Sequence, residues 1–89
     1  MADAQETAIS VLGWLAGEPE LLGRFLALSG LEAHDLRAAA QDPGFFPGVL
    51  AFLMNHEPTL LAFCAATNTR PESIARAFRE LGGDPEYVA

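Results

Sequence analysis

Residues 18–22 read EPELL and residues 57–61 read EPTLL, and whether this phrase marks one unit used twice decides the fold. Proline has no N–H to donate and belongs in the first turn of a helix. It also pushes the residue before it out of the α region, so Glu-Pro opens a helix and does not continue one. The Glu carboxylate then lies near the positive end of the helix dipole. The two leucines and the following Phe25 or Phe63 fall at helical spacing, which gives each helix one apolar face.

The likeness extends outward from the phrase. VLGWLAGEPELLGRFLALSGLEAHDLRAAA (11–40) can be set above VLAFLMNHEPTLLAFCAATNTRPESIARAF (49–78), with one residue added before the second EP and one removed after its LL. Agreement then falls at Val11/Val49, Leu12/Leu50, Leu15/Leu53, Glu18/Glu57, Pro19/Pro58, Leu21/Leu60, Leu22/Leu61, Phe25/Phe63, Ala27/Ala65 and Ala39/Ala77. Trp14/Phe52, Ser29/Thr67, Gly30/Asn68 and Leu36/Ile74 are similar pairs. Gly and Asn are the residues that best adopt a left-handed backbone at a helix end, so both halves carry the same stop signal. An internal duplication is the expectation.

Apolar helices precede each EP, roughly at 4–16 with Ile9, Leu12 and Leu15, and at 44–55 with Phe46, Val49, Leu50 and Leu53. A further helix follows each EP helix. Thr69-x-x-Glu72 reads as a capping box for the second of these, with Pro71 in its first turn. Leu31 stands at the matching cap position of the first copy, whose third helix should begin less sharply. Gln41-Asp42-Pro43-Gly44 is the turn between units, and Gly82-Gly83 followed by Asp84-Pro85 ends the last helix. No segment alternates as a half-buried strand does. The expected fold is all-α: one domain over 1–89 with about six short helices. These form two pseudo-repeated three-helix units, about 11–40 and 49–78, packed into one bundle with acidic tails at 1–5 and 84–89.

The totals exclude several function classes. Eighty-nine residues, 51% of them hydrophobic, make one small domain with an ample core. The apolar stretch VLAFLM (49–54) is far shorter than the roughly 20 residues of a membrane span. MADAQETAI opens with acidic residues, not with the positive charge of a signal peptide. A single cysteine precludes an internal disulfide, and the expected setting is cytoplasmic, away from membranes. Five arginines and no lysine face twelve acidic residues, for a net charge of −7. Such a chain repels phosphate backbones and anionic membranes.

The catalytic inventory is thin. His34 and His56 lie in different units, and neighbouring His34 and Asp35 would point about 100° apart on a helix, a poor dyad. Cys64 aligns with Leu26 and reads as a buried apolar thiol with no basic neighbour to make it a thiolate. Two His and one Cys do not make a metal-ligand spacing, and Gly-rich phosphate loops, HExxH and GxSxG are missing. A non-enzymatic protein without cofactor or metal is the expectation.

FLALSGLEAHDL and FCAATNTRPESI both resemble the corner of a DNA-reading helix-turn-helix, although any tight helix–helix corner would. The first would-be reading helix, EAHDLRAAAQ, is acidic. The second, RPESIARAFRE, carries a basic stripe of Arg70, Arg76 and Arg79, but Glu72 and Glu80 share it. A solvated Arg/Glu face with local ion pairs is preferred, with nucleic-acid binding by this helix as the alternative. A small ligand held between helices is another. In GFFPGV, Phe46 suits burial with Val49 and Leu50, while Phe45 falls with Phe52 on a flank. Phe45 either packs on the other unit or joins an exposed apolar patch. The leading reading is therefore a protein-interaction or adaptor domain. Its candidate partner surface is Phe45 with the acidic Glu18, Glu20 and Asp35, suited to a basic or mixed-charge protein. Duplication also allows a homodimer.

The run WLA…LLGRFLALSGL…DLRAAAQDPGF…VLAFLMNHEPTLLAFCAA resembles DUF3572, a small alphaproteobacterial family of unknown function, over nearly the whole chain outside its tails. The resemblance implies a cytoplasmic, all-helical bacterial protein. It brings no catalytic residue, cofactor or substrate.

Overall fold

A capping carboxylate or a proline opens four of the five long helices in the computed structural model, which describes residues 3–42 and 44–83. The helices are α1 (Ala4–Ala16), α2 (Pro19–Ser29), α3 (Leu36–Ala39), α4 (Phe45–Met54), α5 (Glu57–Thr67) and α6 (Pro71–Glu80). A 3₁₀ turn, Ala33–Asp35, leads directly into α3. Among the described residues there is no strand, and the chain is all-α. Asp3, read as part of an acidic tail, caps α1: its carboxylate accepts the Glu6 N–H at 2.7 Å. The tail at 84–89, with Asp84-Pro85, lies outside the described residues, as does Pro43.

The left-handed stops form as the sequence suggests. Gly30 has φ 77° and Asn68 φ 56°. In both halves the residue after the stop donates its N–H five residues back, Leu31 to the Leu26 carbonyl at 3.2 Å and Thr69 to that of Cys64 at 3.0 Å. A β-carbon without a polar side chain is strained at such a φ. Asn68→Ala should therefore destabilise the fold by about 1 kcal/mol, with Asn68→Gly close to neutral, as read from urea midpoints. Asp42 makes the expected turn, its carboxylate accepting the Gly44 N–H at 2.8 Å.

The capping box at Thr69 and Glu72 does not form. Pro71 holds Arg70 extended (φ −90°, ψ 144°), so α6 starts one residue later than a Thr69 cap requires. The Thr69 hydroxyl pairs with that of Thr67 at 2.8 Å instead. A carboxylate cap appears in the first half, where Asp35 accepts the Glu32 N–H at 3.1 Å.

α1, α4 and α6 pack on one another and form the centre, with α2 against α1 and α5 against α4 and α6. The core takes Ala8, Val11 and Leu15 from α1, Val49 to Leu53 from α4, and Ile74, Ala77 and Phe78 from α6. Ala8, Ala51 and Ala77 give each central helix a small buried residue at which a neighbour can come close. Of the apolar residues named for α1, Leu15 is fully buried, whereas Leu12 is only partly buried and Ile9 is 51% exposed. α4 is buried over five consecutive residues, as a helix surrounded on all sides must be. No single helix among the described residues is long and apolar enough to cross a membrane. α4 and α5 reach that length together, but they meet at a bend of 103°.

Aligned aromatic positions exchange contacts between the halves. Trp14 meets Phe63 edge-on (centroids 5.6 Å, 76°), and Phe52 meets Phe25 in nearly the same way (5.4 Å, 72°). The third helices do not correspond. α6 enters the core through Ile74, Ala77 and Phe78, whereas α3 is a single turn without a buried residue. The alignment shows why: Ala40 stands opposite Phe78. Two equivalent three-helix units are not what this arrangement contains.

Candidate functional site

α2 leans chiefly on α1 and reaches α4 mainly through aromatic edges. Phe25 touches Phe52 and also Phe45, at 6.0 Å and 74°. Between the two helices runs a groove of about 590 Å³. One wall comes from Arg24, Phe25, Leu28 and Ser29, the other from Phe45, Gly48, Ala51 and Phe52, with His56 beyond the end of α4. Phe25, Phe45 and Phe52 supply its aromatic surface. Gly48 lowers the α4 wall, since even a β-carbon there would meet nothing within 4 Å. Leu28 lies one turn past Phe25 and is 74% exposed. Phe45 packs on Phe25 of the other half and also lines the groove, half-buried. Phe46 is only half-buried, its ring tilted at 59° against that of Phe45.

The charge around the groove runs against that of the chain. Ten of the twelve acidic residues are among the described residues, and none of these ten lines it. Arg24 is exposed, and no ion pair within 4.0 Å involves it among the described residues. His56 is half-buried with its Nδ1 hydrogen-bonded to the buried Thr59 hydroxyl. Glu18 and Glu20, exposed at the start of α2, and Asp35, at the 3₁₀ turn, lie outside the lining. The structure therefore brings Phe45 to the groove but not the three carboxylates grouped with it. Arg24 and Leu28 were not apparent as site residues. Their signal was the five large apolar residues of α2 (Leu21, Leu22, Phe25, Leu26, Leu28), a wider arc than packing on α1 alone uses.

The basic stripe is exposed: Arg70 precedes α6, and Arg76 and Arg79 lie on the face opposite Ile74, Ala77 and Phe78. The ion pairs expected with Glu72 and Glu80 do not form within 4.0 Å among the described residues. His34 departs from expectation in the opposite sense. Its Nε2 lies 3.3 Å from a Glu32 carboxylate oxygen and 3.4 Å from one of Asp35. The cause is the tighter 3₁₀ geometry of the turn. Glu32, His34 and Asp35 can offer ligand atoms within 4.8 Å of one another, but the group is largely exposed and the second Asp35 oxygen already accepts a turn N–H.

Cys64 is buried, and its thiol is pushed up from its ordinary range by burial and, second, by the charge of Glu72. It therefore stays neutral at pH 7. The thiol's contribution to stability is intact below the unfolded thiol pKa of about 8.5 and is lost as pH rises through the higher folded value. Iodoacetamide should alkylate the folded chain at least about tenfold more slowly than the urea-unfolded chain at pH 7.5. Equal rates would place the thiol at the surface.

The chain belongs to the family described as Protein of unknown function (DUF3572), whose family model matches residues 1–84. It matches no curated protein and no solved structure.

Proposed function

We propose that this protein is a non-catalytic interaction or adaptor module that holds another protein in the α2/α4 groove. The observation that carries this is Leu28, 74% exposed beside an aromatic-lined groove. A large apolar side chain left in water costs solvation that a partner would recover, and grooves of this kind mark interaction sites. Helix pattern alone does not demand the residue, because the matching position of α5 is Ala66. The free Cys64 suits a reducing cytoplasm.

The test is affinity capture from lysate of the source organism, with and without nuclease, using wild type and Leu28→Glu. A protein retained by wild type after nuclease treatment and lost with Leu28→Glu is the expected result. The variant should unfold within about 0.5 kcal/mol of wild type, because the site is exposed. Capture that disappears with nuclease would favour the Arg70, Arg76 and Arg79 face instead. Capture indifferent to Leu28→Glu would remove the groove from the account.

A further inference from the structure

Taking the groove as the interaction surface, we infer that its occupant is an amphipathic helix of a partner protein. That helix lays apolar side chains on Phe25, Phe45 and Phe52 and sets one carboxylate against Arg24. Charge complementarity selects the carboxylate. Among the described residues, Arg24 is the one permanently charged member of the lining, which holds no acidic side chain although the chain carries a net charge of −7. No carboxylate of the described residues pairs with it within 4.0 Å. A guanidinium can take a carboxylate through two parallel hydrogen bonds, which fixes register as well as adding affinity. The positions matching Arg24 and Leu28 on α5 are Ala62 and Ala66, so neither the charge nor the leucine recurs at the same register there.

The remaining chemistry narrows the occupant. The described residues contain no strand and so no sheet edge on which an extended peptide could add. Of the modes left for a peptide, a helix suits this groove better than a proline-rich polyproline segment, whose carbonyls make no internal hydrogen bonds and would find no donor on the rings of Phe25, Phe45 and Phe52. Its contact face carries apolar residues at i, i+3 or i+4, and i+7, as any helix presenting one stripe does. A single carboxylate fits better than an acidic run. Contact with Arg24 is local, whereas the net charge of the chain repels a polyanion over the roughly 8 Å screening length of physiological salt. A second copy of this chain meets the same repulsion.

A display library of helix-biased peptides selected on the full chain tests the inference. Expected winners pair an apolar stripe with one Asp or Glu, and bind at least tenfold more weakly to Leu28→Glu and to Arg24→Glu. Changing the peptide acid to Lys should weaken binding to wild type and restore it on Arg24→Glu. Winners that are basic, or whose affinity ignores Arg24, overturn the carboxylate assignment. If lysate capture still depends on Leu28, the interaction reading survives that loss. Groove-dependent winners failing to emerge overturn the helix inference, and Leu28-independent capture as well would overturn both readings. A dimer in sedimentation that Leu28→Glu dissociates would make a second copy the occupant and overturn the inference.

Discussion

Phe63→Ala should lower the stability of the fold by about 3–5 kcal/mol, the range for removing a large aromatic from a closed core. Phe63 is 1% exposed, and its ring meets the edge of Trp14 at 5.6 Å. It comes from α5, which packs on both α4 and α6, so the cavity left behind lies in the interior. Small domains have only about 5–15 kcal/mol in all, and each kcal/mol moves Tm by roughly 4–8 °C at this size. A fall in Tm of at least about 12 °C is the result to look for. The urea midpoint should fall at an unchanged slope, showing that stability and not compactness was lost. Trp14 is the single tryptophan and supplies the probe, since its emission reports the same contact. A midpoint equivalent to within about 0.5 kcal/mol of wild type would show that Phe63 is not part of a closed core.

What was legible in the sequence was local. Pro19 and Pro58 open helices, Gly30 and Asn68 close them, and Asp42 turns the chain, because each effect is decided within a few residues. The failures are of two kinds. Competition between local rules misplaced the cap of α6, where the constraint of Pro71 on Arg70 overrode the Thr69 signal. The His34 contacts depart from α-helical periodicity because the segment is a 3₁₀ turn. Tertiary crowding decided the rest. Ala8 faces inward and Ile9 outward because closeness of packing, which hydrophobicity does not measure, sets the face of α1. The groove belongs to this second kind: it exists because α2 reaches α4 through ring edges, and no spacing in the sequence states how far apart two helices will stand.

Phe25→Ala separates a sealed core from a groove that a partner can reach. Phe25 is 4% exposed and aligned with Phe63, so sequence alone assigns the two substitutions the same cost. Their surroundings differ. Phe25 meets Phe52 at 5.4 Å and Phe45 at 6.0 Å, and its ring lines the groove itself. Removing that ring deepens a space already open to water, so less of a closed cavity is created. The expected cost is therefore about 3 kcal/mol, the lower end of the range, and smaller than that of Phe63→Ala. Phe25→Leu should recover much of the loss, because it restores apolar volume without the ring edges. A double-mutant cycle with Phe45→Ala should give a coupling of about 0.5–1.5 kcal/mol, as for other edge-on aromatic pairs. Partner capture should fall with Phe25→Ala even at temperatures where the variant stays folded, because the floor on which the apolar side chains rest has gone. Were Phe25→Ala to cost more than Phe63→Ala, its ring would be sealing the interior, and docking there would require the core to open first.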